Sequence, residues 1–229
     1  MIAVDSLLYK IDLKLNKLSS NDHQAIQLED KILALNEAQI DLIKQKVYKK
    51  TRDDIQNLIL NYDHQPLELQ KKDERINQYS ASLASLIPQY LAYLDSYILA
   101  DKGKCKDRII WINRDISLRG DLQFALNNEH YKPSFEYQET LNEIYGDEIL
   151  VYTDGTFTPS KIYVSYIKYP KYIDKEGYIK LDGSDSITQD CELKPYLEDE
   201  LLDLTVLHLA EYTENTSAAQ GAIQRIQTN

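Results

Sequence analysis

The chain has few cysteines and no long uninterrupted run of apolar residues. It contains two cysteines, Cys105 and Cys191, in 229 residues. Two are too few for a disulfide framework, so we expect free, partly buried thiols in a reducing cytoplasm. No stretch approaches the ~20 apolar residues that a membrane span requires. The N-terminal stretch MIAVDSLLYKIDLKLNK lacks the uninterrupted apolar core of a signal peptide. We therefore expect a chain that is soluble and made in a cytoplasm.

Residues that carry out catalysis or bind metals do not cluster in the sequence. The segment Asp182–Ser186 resembles part of a calcium-binding loop, but it lacks the later glutamate, and a turn is the simpler interpretation. There is no glycine-rich phosphate loop, no G-x-S-x-G and no C-x-x-C motif. We therefore predict no enzymatic activity, no catalytic residues, no metal and no cofactor. No histidine has a metal-ligand spacing with another His or Cys: His23, His64, His130 and His208.

Charge and aromatic composition restrict the classes of partner. The chain has 26 basic and 37 acidic residues and a formal net charge of −11. Proteins that wrap nucleic acid neutralise phosphates with Lys and Arg, so this balance argues against nucleic-acid binding. Tyrosine is abundant, with 18 residues against three phenylalanines and one tryptophan. Tyrosine suits both strands and interfaces, and most of these residues are explained by strand positions alone.

Hydrophobic periodicity predicts an α+β protein. We expect N-terminal helices with one long helix, a mixed β-sheet region, and a C-terminal helix followed by an extended tail. Strands are predicted over Glu148–Thr153 and Lys161–Tyr169, joined through the turn pair Asp154-Gly155, and a short one over Tyr178–Leu181. The predicted organisation is a helical region over 1–62, ending in a short helix from Thr51; a polar loop region over 63–86; a β-rich region over 87–194; a C-terminal helix over 195–213; and a partner-binding tail over 214–229.

The longest predicted helix runs from about His23 to Lys50 and is apolar on two sides. Its apolar residues form two series at seven-residue spacing, which lie about 200° apart around the helix. Either other helices of the same fold cover both sides, or one side contacts a neighbouring subunit. These residues are therefore the predicted subunit interface: Ile26, Leu33, Ile40 and Val47 in the first series, and Leu28, Leu35 and Leu42 in the second.

The last predicted helix begins at Pro195, where a missing N–H is tolerated, and acidic residues in its first turns complement the helix dipole. His208 lies on its apolar face and is interpreted as a core or interface residue. After Tyr212 the sequence TENTSAAQGAIQRIQTN has few bulky apolar residues. Such a segment cannot bury enough surface to fold alone, but it can become ordered on a partner.

Several phrases of the sequence resemble one protein family. The runs IYVSYIKYPKYID, GYIKLDGS and QDCELKPYLEDELLDLTVLHLAEYTE resemble the head-to-tail ring, or connector adaptor, proteins of tailed bacteriophages. Within that family they are most similar to the ring proteins of crAss-like podoviruses. The phrases ILALNEAQIDLIKQ and IYGDEILVYTDGTF are similar to the same group. The likeness extends over most of the chain and is strongest from Glu148 to Glu214.

The resemblance implies a structural role in the virion, at the head–tail junction, after assembly in the cytoplasm of the host bacterium. Its partners would be copies of itself in a dodecameric ring, the portal protein, and other connector or tail rings. The tail would contact the portal or a neighbouring ring through Glu214, Ile223, Arg225 and Ile226. An acidic conduit would let DNA pass without binding it. Two alternatives stay open: a tyrosine-rich glycan-binding module of a tail or surface protein, and an assembly chaperone.

Overall fold

The structure is a computed structural model that describes residues 1–18, 26–49, 51–62, 65–115, 119–180 and 183–212. These residues form a nine-stranded mixed sheet and four α-helices: α1 (Val4–Leu18), α2 (Leu28–Tyr48), α3 (Arg119–Asn127) and α4 (Glu198–Tyr212). The α+β class, with its long helix and C-terminal helix, is confirmed. The chain divides into two compact units. The first is Met1–Leu58 together with the chain from Pro170 onward, and the second is Ile59–Tyr169.

The first unit is built on the antiparallel packing of α2 against α4. Polar pairs join the two helices near both ends of α4. Lys46 Nζ is 2.8 Å from Glu200 Oε2 near its N-terminus, and the Tyr212 hydroxyl at its C-terminus donates to Glu37. Although burial alone lowers the pKa of Lys46, its hydrogen bonds to Glu200 and Asp54 leave that pKa above its ordinary value. These pairs fix the register of two helices whose facing sides are otherwise apolar.

Helix α1 packs on α4 through residues at helical spacing. Val4, Leu7 and Ile11 are all buried. The carboxylate of Asp190, from the other end of the chain, accepts a 3.0 Å hydrogen bond from the Val4 N–H at the start of the helix. A backbone bridge between Ile2 and Cys191 continues this contact. The N-terminal helix is thus anchored by residues nearly 190 positions away.

The long helix is shorter than the sequence predicts. It begins at Leu28, because Gln27 has an extended backbone (φ −68°, ψ 156°), and Glu29 and Asp30 in the first turn complement the helix dipole. Ile26 therefore precedes the helix. The short helix predicted from Thr51 is a 3₁₀ segment, Arg52–Leu58, which leads directly into a strand.

The second unit is the sheet. Its strands are β1 (Ile59–Leu60), β2 (Pro66–Glu68), β3 (Gln70–Asp73), β4 (Gln78–Ser82), β5 (Tyr90–Lys102), β6 (Cys105–Asp115), β7 (Glu139–Tyr145), β8 (Glu148–Tyr152) and β9 (Thr158–Lys168). The strand order is β1-β9-β5-β6-β7-β8-β4-β3, and β2 also pairs with β9. Only β6 and β7 pair in parallel, and the connection between them contains α3, as a parallel crossover requires.

One face of this sheet encloses a core to which most strands contribute. Ile162, Val164 and Tyr166 of β9 all point into it, as their alternation predicts. Leu67 of β2 and Ala81 of β4 belong to the same core, so the sheet curls until these two strands are close. The predicted strands over Glu148–Thr153 and Lys161–Tyr169 correspond to β8 and β9. They are consecutive in the chain but do not pair with each other.

Two regions contradict the predicted organisation. Residues 63–86 are not a polar loop, because β2, β3 and β4 lie within them. β4 pairs with β8 on one side, over five residues, and with β3 on the other. The polar strand β3 is therefore the exposed edge strand of the sheet. Residues 170–194 are not part of the sheet: they belong to the first unit and contain only isolated bridges among their described positions. The predicted strand from Tyr178 is reduced to a single bridge, Ile179 to Asp185.

Candidate interaction surfaces

The two apolar series of α2 have different environments. In the second series, Leu35 and Leu42 are fully buried, and Leu28 is partly covered. Leu28 lies close to Gly177: a Cβ added at Gly177 would be 3.9 Å from the Cδ2 atom of Leu28. The second series therefore belongs to the core of its own unit. It was predicted to be part of the subunit interface, and its burial leaves little of it available to a neighbour.

The first series is only partly covered. Leu33 remains 47% exposed, while Ile40 and Val47 are half-buried. We call these three residues the α2 stripe. On the same side of the helix Glu37 and Lys44 are exposed, as the rim of an interface would be. The α2 stripe is thus an apolar line on a helix whose opposite side is already packed.

Two buried polar residues explain why α2 is covered on its other sides. Asn36 donates from Nδ2 to the Ile173 carbonyl and accepts at Oδ1 from the Ile173 N–H, both at 2.8 Å. Gln39 donates to the carbonyl of Lys171 at 3.3 Å and accepts a weak hydrogen bond from the Cys191 thiol. Because these side chains pair with backbone groups of Lys171 and Ile173, that part of the chain can lie against the helix without leaving those groups unpaired. Sequence patterning gave no sign of this pairing.

The C-terminal end of α4 faces α2 through ionisable residues. His208 is largely buried, as predicted, and its Nε2 is 3.4 Å from Asp41 Oδ2. Burial, together with the hydrogen bond to Glu37, raises the pKa of Tyr212 to about 12, so this phenol stays protonated as a donor. The predicted tail contacts lie outside the described residues: Glu214, Ile223, Arg225 and Ile226.

The sheet carries an aromatic cluster on the face opposite its core. Tyr97 of β5 pairs in register with Trp111 of β6 and with Tyr163 of β9, and Tyr62 packs over the row. The Tyr97 and Tyr163 rings stack 4.9 Å apart with 9° between their planes, and Trp111 meets Tyr97 edge-on at 5.3 Å. Trp111 is 42% exposed. Four rings from separate stretches thus form one partly open surface, the aromatic face.

The aromatic face is held in place by a hydrogen bond. The Tyr62 hydroxyl donates to Asp95 Oδ2 at 2.8 Å, and burial together with this carboxylate raises the pKa of Tyr62 to about 12. Because Tyr97 and Tyr163 turn their ring faces toward each other, Trp111 is the residue with most surface left for a ligand.

The described residues contain no group of three or more His, Cys, Asp or Glu side chains arranged to hold a metal ion. Both cysteines are free thiols, Cys105 exposed and Cys191 buried. Within the described ranges, no helix combines the length and apolarity needed to cross a membrane. No family model matches the chain, and no curated protein is significantly similar to it.

Proposed function

We propose that this chain is a structural subunit of a homo-oligomeric ring in the head-to-tail connector of a tailed bacteriophage, beneath the portal. The observation that carries the proposal is the α2 stripe. A helix that is fully packed on one side and keeps Leu33 half-exposed on the other has apolar surface for a neighbouring copy to cover. The phrases shared with connector adaptor proteins support the same assignment.

The ring would be a passive conduit for the genome, with no catalytic role. With a net charge of −11, each copy adds to an acidic assembly that repels DNA phosphates. Twelve copies are the expected number from the resemblance. The C-terminal segment, with Glu214, Ile223, Arg225 and Ile226, would contact the portal or a neighbouring ring. Assembly in the host cytoplasm would precede incorporation at the vertex.

The proposal is tested by mass spectrometry of purified particles, combined with incorporation of variants. We expect the chain in mature particles at a copy number matching a ring, and we expect deletion of residues 214–229 to abolish incorporation while the purified protein stays folded. Presence during assembly and absence from mature particles would indicate an assembly chaperone instead. Normal incorporation of the truncated chain would exclude the assigned role of the tail.

A second candidate function is supported by the aromatic face. Glycan-binding sites stack sugar rings on exposed aromatic side chains, and Trp111 is a half-exposed indole beside three tyrosines. This candidate predicts glycan-array binding by the purified protein that is lost in Trp111→Ala and kept in Tyr137→Ala, a change at a residue 81% exposed outside the face. Absence of any array signal would exclude it.

A further inference from the structure

The outer side of the sheet has a second open feature, a groove next to α3. It is a cavity of about 630 Å³, within the range typical of ligand and peptide pockets. Its apolar floor is formed by Leu122 and Leu126 of α3 together with Leu150 of β8. Ile76 and Tyr145 extend this surface outward and are themselves exposed. The groove is lined entirely by the second unit.

A hydrogen-bonded chain fixes one carboxylate at the edge of the groove. Gln78 donates from Nε2 to the Tyr152 hydroxyl at 2.9 Å, and that hydroxyl donates to Glu143 Oε2 at 2.7 Å. The Tyr152 side chain is only 1% exposed, so its position is set by packing. Glu143 is therefore held in place before any ligand arrives.

In the part of the chain that the structure describes, the other charges lining the groove have ionic partners, whereas Glu143 has no cationic one. Lys72 pairs with Glu148, and Asp73 pairs with Arg75. Among the described residues, no lysine or arginine forms an ion pair with Glu143. The groove therefore suits a short segment with aliphatic side chains for the leucine floor and one cation for Glu143.

The chain itself carries such a segment. Ile223 and Ile226 supply two aliphatic side chains, and Arg225 between them is the only lysine or arginine after Tyr212. Ile223 follows Tyr212 by eleven residues, which span up to about 36–40 Å when extended. That length is enough to reach an adjoining molecule.

We propose that the groove binds residues 223–226 of a second copy of this chain, with Arg225 on Glu143 and the isoleucines on the leucine floor. The inference rests on the proposed function in that it requires copies to assemble side by side. It refines the expected role of the tail: Ile223, Arg225 and Ile226 would contact a copy in the same ring, which leaves Glu214 for the portal or a neighbouring ring.

The test is photo-crosslinking of the full-length protein with p-benzoylphenylalanine in place of Gln224. This protein is mixed at high concentration with ¹⁵N-labelled protein lacking the crosslinker, and crosslinked peptides are identified by mass spectrometry. We expect residue 224 to be crosslinked to ¹⁵N-labelled peptides that contain Leu126 or Leu150. The label shows that the two linked peptides come from different copies of the chain. The crosslinker in place of Tyr137, exposed and outside the groove, should not give them.

Charge exchange tests the proposed pair. Arg225→Glu should lower the crosslink yield by about tenfold, the effect of losing one charge-assisted contact. Placing Glu143→Arg in the labelled copy should restore it, whereas Glu136→Arg, the same charge change at an exposed turn outside the groove, should not. Crosslinks confined to one chain would overturn the second copy as occupant, and the absence of crosslinks to the groove would overturn the site. Both results are obtained on purified protein, so they are separate from whether the chain is found in particles.

Discussion

Leu33 and Leu35 lie two residues apart on α2 and allow the same substitution to be made on its open and closed sides. Leu35 is 0% exposed, whereas Leu33 is 47% exposed. Leu35→Ala should lower the free energy of unfolding by about 2–5 kcal/mol, since it removes buried methylenes and leaves a cavity. Leu33→Ala should cost less than about 1 kcal/mol, because only half of its side chain is covered within the protein.

Assembly into particles should instead depend more on Leu33 than on Leu35. Full burial of a leucine is worth about 1.5–3 kcal/mol, so covering the open half of Leu33 contributes roughly 0.7–1.5 kcal/mol at each subunit contact. Leu33→Asp removes that gain and adds the cost of burying a carboxylate in the contact, which is larger than the gain by several kcal/mol. The same cost arises at every subunit interface of the ring. We therefore expect Leu33→Asp to fold and to be absent from particles.

Urea unfolding of the purified variants and their incorporation into particles measure these two effects. Lys44→Ala, on the same exposed side of α2, is the matched surface control and should change neither, because the ion pair of Lys44 with Asp41 is exposed. The reasoning is refuted if Leu33→Asp enters particles at the normal level. It is also refuted if Leu33→Ala is as destabilising as Leu35→Ala, since Leu33 would then belong to the core of its own subunit.

Three further predictions concern the first unit and the thiols. Lys14→Met should lower the free energy of unfolding by about 2 kcal/mol, because it removes the ammonium 2.7 Å from the buried Asp203 carboxylate, and Lys14→Arg should recover part of it in urea unfolding. Burial acts to raise the pKa of Asp174, but its hydrogen bonds from Lys180, Tyr178 and backbone N–H groups leave that pKa below its ordinary value. Its contribution to stability is therefore present above about pH 4 and is lost as the pH falls through the folded-state pKa, so Asp174→Asn should flatten the acid limb of stability against pH. Iodoacetamide at pH 8 should modify Cys105 alone in the native protein, because burial raises the pKa of Cys191 to about 11, and mass spectrometry after urea should show both modified.

Local patterns predicted the elements whose periodicity matches their burial. The alternation in β9 placed Ile162, Val164 and Tyr166 on one face, and all three are buried there. The prediction of a loop over β3 and β4 was wrong because most of these residues are polar, and because β4 is held as a strand by ladder hydrogen bonds with β8, about 70 residues away. Such a partner leaves no periodic signal in a short polar strand.

The surfaces were only half predictable for the same reason. The two series on α2 follow from spacing, but which one is covered depends on the segment around Ile173, which Asn36 binds from 137 residues away. The aromatic face depends on register, since Tyr97 meets Trp111 and Tyr163 only because those residues are cross-strand partners. The composition indicated abundant tyrosine, but it could not show which rings meet.

The most direct test of the central claim is electron cryomicroscopy of purified phage particles, with symmetry determined about the capsid vertex through which the tail is attached. The account predicts a ring of this chain beneath the portal, with Leu33 and its neighbours on α2 covered by the adjoining copy. A vertex reconstruction without this chain, or a ring in which the α2 stripe faces solvent, would contradict it.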